Sequence, residues 1–343
     1  MKLLLAPRGV AAAGGVLVVS DTGQNRVFIW KNFSYREEKE PEVVLGQDDF
    51  LGTSRNTGKQ VTARSLQYPS GVWTDGQRLI VADAWNHRVL IWLQLPTENG
   101  QPADVVVGQP DMESNLPNIT GLSTPPTAQS LYWCYGVVSD GQSLWIADTG
   151  NRRVLYYANI PTTHFAAADQ VIGQLNMNER ESDSRNAIWP YSVKLSAGNA
   201  LAITDTQYYR VLIWKDKTTA FTQPADIIIG QEDFEHNGQN QYQLLPAAHT
   251  LNWCYDCCFY QQGIWVADTG NSRVLYWPVL PEANNAPAEK LVGQLNFSTN
   301  GESSLSLKTP LVNEMYWPFS VTCLDTQLIV ADTGNHRILF YEL

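Results

Sequence analysis

The chain holds 343 residues, with 23 Lys and Arg against 34 Asp and Glu, a net charge of −11 and a pI of about 4.9. No Lys/Arg cluster interrupts the acidic background, which excludes the basic footprint of a nucleic-acid partner, and no run reaches the ~18 apolar residues of a membrane-spanning helix. Five Cys, an odd number, in a chain long enough to bury a core without disulfides, place the protein in a reducing, cytoplasmic setting, with the sequons at Asn32, Asn118 and Asn296 unused.

The predicted elements begin at once. Residues 7–21 are already in register as the first copy of a repeat, so Met1-Lys2-Leu3-Leu4-Leu5 reads as its lead-in rather than as a signal peptide. Six variants of V-A-D-T-G-N-x-R-V-L-x-W are centred on Asp21, Asp83, Asp148, Asp205, Asp268 and Asp332. An Arg follows each by five residues: Arg26, Arg88, Arg153, Arg210, Arg273 and Arg337. The Asp positions are 62, 65, 57, 63 and 64 apart. A repeat of this kind specifies architecture before any single residue does.

Each unit is predicted to form four short strands, a to d in chain order. In the second copy residues 70–74 are β-prone, and Asp75-Gly76 is a hairpin turn signal. Residues 78–83 form the next strand, 84–87 reverse it, and 88–92 return with the Val, Leu, Ile and Trp that strands favour. A Pro-containing connector leads to a fourth strand at 104–107, closed by Gly108-Gln109. No helical period is sustained. Antiparallel four-stranded units repeated around a ring make a β-propeller. The fold class is therefore all-β, one six-bladed propeller domain over 1–343, with blades starting near 7, 69, 134, 190, 254 and 318.

The Pro-x-Gly-Val opening (Pro7 to Val10), the Ala-Asp-Thr-Gly-Asn core (Ala147 to Asn151, Ala267 to Asn271, Ala331 to Asn335) and the Arg-Val/Ile-Leu strand after it resemble the NHL-repeat family over nearly the whole chain. The resemblance implies the propeller. It does not select a function, because that family includes protein-binding scaffolds, RNA-binding modules, sensors and a few lyases.

Length variation points to one face. A Gly-Gln pair (Gln47, Gln109, Gln174, Gln231, Gln294) follows its Asp by 26 residues in every full copy. A Pro or Cys (Pro7, Pro69, Cys134, Cys254, Pro318) precedes its Asp by 14, with Pro190 at 15. The segment between Gln and the next Pro or Cys runs 22, 25, 16, 23 and 24 residues. In an antiparallel meander these loops and the Asp-Thr-Gly-Asn turns share one face, here called the top. Variable loops on a rigid scaffold carry binding specificity.

The lead-in to strand a is aromatic. Trp133, Trp189, Trp253 and Trp317 directly precede the Pro or Cys; Tyr68 and Ala6 take that place in the first two blades. Arg8, Ser70, Tyr135, Tyr191, Tyr255 and Phe319 directly follow it. Adjacent residues of extended chain point opposite ways. One set is therefore expected to line an axial funnel and the other to pack between blades, with packing of both sets between blades as the competing arrangement. A funnel walled by Tyr135, Tyr191, Tyr255 and Phe319, with Arg8 its cation, suits a planar or apolar ligand or a peptide side chain. The turns add Trp85, His87 and His336 as binding candidates. The repeated Asp and Arg are read as scaffold, the Asp accepting turn N–H groups and the Arg pairing with it across the hairpin.

All five Cys fall on or at the start of strand a. Cys254 and Cys257 form a C-x-x-C, but i and i+3 on a strand face opposite ways, and Cys257 stands where other blades have Val. Cys134 and Cys254 sit at equal depth, two blades apart; small buried thiols are the default reading, with the two facing one another across the funnel as the alternative. Asp256 replaces the usual Gly or Ser and is the one carboxylate placed for an ion there. No hydrolase, P-loop or H-E-x-x-H motif is present. His87, His164, His236, His249 and His336 take different places in their repeats, unlike the three-His zinc set that the amidating lyases among the relatives imply.

The reading is a non-catalytic binding or scaffolding propeller, without cofactor or metal, that recognises a protein or small molecule through its top face and funnel. The alternative is an enzyme with a funnel site, a metal-dependent lyase or lactonase, or a metal or cofactor carrier using the funnel Cys. The sixth copy stops at Leu343, just after strand c. The segment before Pro7 cannot supply the missing strand, because strand d lies three ~4.8 Å steps from strand a and about one linking residue reaches only ~3.6 Å. A three-stranded sixth blade is expected. Its edge, Arg337, Ile338, Leu339, Phe340 and Tyr341, is open to a second copy, another partner or the rest of a longer chain.

Overall fold

Runs of Val, Ile, Leu and Trp, each five or six residues long and bounded by turn residues, pair in chain order as antiparallel meanders. A computed structural model describes residues 4–35, 39–301 and 313–343. The fold is a six-bladed β-propeller. The chain divides into two units, Met1–Glu181 and Ser182–Leu343, with three blades in each.

In the first unit, blade 1 is β1 (Gly9–Ala13), β2 (Val16–Asp21), β3 (Arg26–Trp30) and β4 (Val43–Leu45). Blade 2 is β5 (Pro69–Thr74), β6 (Leu79–Asp83), β7 (Arg88–Trp92) and β8 (Val105–Val107). Blade 3 is β9 (Cys134–Ser139), β10 (Leu144–Asp148), β11 (Arg153–Tyr157) and β12 (Gln170–Ile172). In the second unit, blade 4 is β13 (Pro190–Leu195), β14 (Leu201–Asp205), β15 (Arg210–Trp214) and β16 (Ile227–Ile229). Blade 5 is β17 (Cys254–Tyr260), β18 (Gly263–Asp268), β19 (Arg273–Trp277) and β20 (Lys290–Val292). Blade 6 is β21 (Pro318–Leu324), β22 (Gln327–Asp332) and β23 (Arg337–Glu342).

Among the described residues the sixth sheet has three strands, as expected, and β23 carries Ile338, Leu339, Phe340 and Tyr341. Of the segment Met1 to Leu5, residues 1–3 lie outside the described residues. The extra residue between Pro190 and Asp205 sits in the first hairpin turn, where five residues separate β13 from β14 against four between β9 and β10.

Each repeated Asp is buried and takes the Nε of its Arg on Oδ2, at 2.7, 2.8, 2.7, 3.0, 2.6 and 2.8 Å in chain order. The other oxygen departs from expectation. It does not accept turn N–H groups. Oδ1 of Asp83, Asp148, Asp268 and Asp332 accepts the N–H of Gln67, Tyr132, Asn252 and Tyr316, in the segment leading into the same blade. The turn closes itself instead as one 3-10 turn ended by a left-handed residue: Asn25, His87, Arg152, Tyr209, Ser272 and His336, with φ between 51 and 57°.

The guanidinium then spends its remaining donors on loops. Arg88 Nη1 donates to Met112 O, and Nη2 to Thr62 O and Ser65 O. Arg153 repeats this with Met177, Thr127 and Ser130, and Arg273 with Phe297, Ala247 and Thr250. The Gln of each Gly-Gln pair donates both to the carbonyl of the left-handed turn residue and to a carbonyl seven residues on, as Gln109 does to His87 and Leu116. These bonds explain the fixed offset of 26.

Aliphatic layers lie between adjacent blades. Val18, Ile29, Leu79 and Leu90 pack blade 1 on blade 2; Ile213, Ile229, Val266 and Leu275 pack blade 4 on blade 5. First strands approach closely. A Cβ on Gly71 would lie 2.6 Å from Tyr135 O, so this position of Pro-x-Gly-Val admits no side chain there. Asp148→Ala should destabilise the first unit by about 3–5 kcal/mol, because the buried Arg153 guanidinium loses its counter-charge. Urea unfolding checks this; a loss under about 1 kcal/mol would remove the Asp from the scaffold.

Candidate functional site

Four of the lead-in residues carry an unusual backbone for aromatic side chains. Tyr68, Trp133, Trp253 and Trp317 adopt φ of 55, 50, 50 and 51°. Left-handed backbone is an outlier for bulky aromatics and costs on the order of 1–3 kcal/mol per residue. The preceding blade holds it in place. Asn25 Oδ1 accepts the Tyr68 N–H at 3.0 Å, His87 Nδ1 the Trp133 N–H at 3.2 Å and Ser272 Oγ the Trp317 N–H at 3.4 Å. Trp253 meets Tyr209, the equivalent turn residue, edge to face at 5.3 Å. Trp189 differs: its N–H goes to Asp205 Oδ1 and its backbone is not left-handed.

Of the four left-handed lead-in rings, Tyr68 and Trp133 are half-buried. Trp253 and Trp317 are 41% and 45% exposed. In the first unit Trp85 is 45% exposed and stacks on Tyr68 at 4.6 Å, while the Arg8 guanidinium lies 5.1 Å from the Tyr68 ring centre. Tyr135 meets Tyr68 edge to face at 6.3 Å, and Trp133 stacks on Tyr132. His336 is exposed at its turn.

The residues expected to wall a funnel are more enclosed. In the second unit Tyr191 and Phe319 are buried and Tyr255 half-buried. Tyr255 stacks on Phe319 at 4.1 Å and meets Tyr191 edge to face at 4.6 Å. These three rings pack on one another, so the exposed lead-in aromatics of the second unit are Trp253 and Trp317. His87 is also placed differently from an exposed turn residue: it is buried, and its ring holds the Trp133 backbone.

Chemistry on the first strands is concentrated in the second unit. Asp256 is buried between blades 4 and 6. Its Oδ2 accepts Ser320 Oγ at 2.7 Å and the Val321 N–H at 3.1 Å, and Oδ1 lies 3.1 Å from Lys194 Nζ. Burial would push the Lys194 ammonium down, but the Asp256 carboxylate outweighs it and the pKa is raised. Lys194 is thus a held cation and not a proton acceptor near neutral pH, and Asp256 has its charge answered by protein. Sequence reasoning found Asp256 and missed Lys194, which arrives from the neighbouring blade.

Cys134 and Cys254 take the default arrangement of buried thiols and not the funnel-facing alternative. Each is buried in an inter-blade layer and donates to a carbonyl of the previous blade, Arg88 O and Arg210 O, both at 3.2 Å. Burial pushes both thiols well above the usual range. Cys257 is buried core.

Other exposed apolar groups carried no sequence signal. Tyr242 and Leu244, on the loop leading to Trp253, are 70% and 90% exposed. Leu175 and Leu295 stand out at two Gly-Gln corners. Among the described residues no group of three or more His, Cys, Asp or Glu is placed to hold a metal ion, and no helix is long and apolar enough to cross a membrane.

No family model matches the chain, and no curated protein matches it in sequence. Solved structures do match in fold. A hydrazine synthase from Kuenenia stuttgartiensis superposes with a TM-score of 0.54 at 11% identity, over 100% of this chain and 97% of that one. A streptogramin B lyase gives 0.49 at 8% identity, over 100% and 84%. The computationally designed Ika8 protein gives 0.45 at 8%, over 98% and 71%. At such identities the likeness is one of fold.

His87 makes the scaffold under the rim pH-sensitive. Burial pushes its pKa down to about 4. The unfolded chain takes up that proton near pH 6.5, so between these values the unfolded state holds more protons and stability falls as pH falls. The loss from about pH 7 to pH 4 should approach roughly 3 kcal/mol. Urea unfolding at several pH values should show this slope flattened in His87→Asn; an identical slope in the variant would show that His87 does not cause it.

Proposed function

We propose that the protein is an NHL-type propeller acting as a non-catalytic binding module, and that Trp253 and Trp317 form the centre of its contact with a protein partner. The observation that carries this reading is the backbone of the rim. Two large aromatic side chains are held in a strained conformation with nearly half their surface exposed. Strain without burial brings no return in stability, and it fits a site where aromatic anchors dominate the contact. The loop leading to Trp253 adds Tyr242, Leu244 and Leu245, all exposed. Apolar groups displayed on polar loops suit a protein surface better than a small polar substrate. Five free thiols support the reducing, cytoplasmic setting.

The charged groups on the first strands of the second unit are already paired with one another, as Lys194 with Asp256. That supports binding over acid–base chemistry at this place.

Glycine tests the reading against a purely structural role. Trp253→Gly and Trp317→Gly relieve left-handed strain, so stability should stay within about 1 kcal/mol of wild type. Affinity for a peptide selected by the wild-type protein from a displayed library should fall at least about tenfold. Calorimetric binding and thermal melting measure both quantities. Strong destabilisation with unchanged affinity would make these residues packing elements, and turnover of the selected ligand would make the protein an enzyme.

A further inference from the structure

Three of the five thiols are accounted for by packing and hydrogen bonds. The other two meet. Cys258 Sγ lies 3.5 Å from Cys323 Sγ. They belong to β17 and β21, which run side by side as the first strands of blades 5 and 6. At the corresponding place the other adjacent pairs within each unit hold Ala11 with Thr74, Trp73 with Ser139, and Lys194 with Phe259. The thiol pair is peculiar to this junction. The surrounding layer also differs, with Trp265, Tyr276, Tyr260 and Tyr341 where the layers between blades 1 and 2 and between blades 4 and 5 are mainly aliphatic.

We propose that Cys258 and Cys323 are a redox-active dithiol, converted to an inter-blade disulfide by a low-molecular-weight disulfide of the glutathione class. Cys323 is half-buried and reachable; Cys258 is buried. The Cys323 thiolate attacks the reagent disulfide, forming a mixed disulfide and releasing one thiol of the reagent. Cys258 then loses its proton and displaces the second reagent thiol, closing the Cys258–Cys323 bond. Two protein thiols are oxidised, one reagent disulfide is reduced to two thiols, and no other oxidant is needed. The sulfurs must close by about 1.5 Å to reach bonding distance. Both residues lie within two positions of a strand end that runs into a tight turn at Gln261 or Asp325, each already left-handed, and these turns can take up the movement. Burial and the neighbouring Cys323 thiol hold Cys258 well above the usual thiol range, and Lys194 offsets part of this. The second step is therefore the slow one and quickens as pH rises.

The full chain is incubated with oxidised glutathione, denatured, alkylated and weighed. Two of the five thiols should become unavailable to alkylation, with no glutathione retained at completion, and reductant should restore them. Peptide mapping should find 258 joined to 323. Cys323→Ser should abolish the reaction. Cys258→Ser should leave one glutathione held on Cys323. Cys134→Ser should change nothing if it folds, and the wild-type map stands whether or not the variants do. A folded protein that keeps five alkylatable thiols, or whose cross-link uses another pair, would overturn the proposal.

Discussion

A carboxylate–guanidinium pair on a buried Asp holds every blade, fully buried in the first five, and the rest of the molecule is arranged around its donors and acceptors. An isolated ion pair in a protein interior is a poor bargain, because desolvation takes back most of the Coulombic gain. Here the pair is not isolated. In blade 3 Asp148 accepts Arg153 Nε, the Asn151 amide and the Tyr132 N–H, while Arg153 donates to three further carbonyls. Burial still pushes the Asp148 carboxyl up against these donors, so the network is tuned narrowly and losing any member leaves another unsatisfied. A lysine could not substitute, since only a guanidinium offers five donors in a fixed fork.

That network sets which parts of the repeat are free to vary. Loop carbonyls reached by Arg and Gln must arrive at fixed offsets, so the Gly-Gln spacing is constant. The segment between them can change length because only its two ends are held. The left-handed turn residue is free to change identity as well. Asn25, His87 and Ser272 all present an acceptor to the next lead-in, whereas Tyr209 presents a ring to Trp253. The repeats thus vary at a position the scaffold constrains in backbone but not in side chain.

The strands and the Asp–Arg pairing were legible in the sequence because each depends on residues within one hairpin. Partners from another segment were not. The Asp acceptor goes to a lead-in 16 residues upstream, which no turn rule indicates. Asn118, read only as a sequon, is buried in a reciprocal amide pair with Asn151, 33 residues away. Lys194 with Asp256 and Cys258 with Cys323 are brought together only by placing one blade against the next. The C-x-x-C stands out for its spacing, and simple alternation sends its thiols to opposite faces, yet a β-bulge between Cys254 and Asp256 puts Cys254 and Cys257 in one layer. For the aromatics, alternation could not say which members stand exposed: Trp253 and Trp317 do, whereas Tyr68 and Trp133, with the same left-handed backbone, are half-buried, and nothing in the composition of Tyr-Pro or Trp-Cys announces that backbone.

The two units have diverged at one position of the first strand. The first unit has Gly9, Gly71 and Gly136 there, and a Cβ on Gly9 or Gly71 would strike the backbone of the neighbouring first strand. The second unit has Ser192, Asp256 and Ser320. Close backbone contact excludes side chains at Gly9 and Gly71, whereas the second unit holds a hydroxyl, a carboxylate and the lysine that answers it. Asp256 then spans three blades, bonding blade 6 through Ser320 and Val321 and facing blade 4 through Lys194. Side-chain contacts do there what backbone packing does in the first unit. Contacts of that kind can be changed by protonation, oxidation or ligation, whereas glycine packing cannot. The thiol pair lies two and three residues further along these same strands, in the blades that carry Trp253 and Trp317.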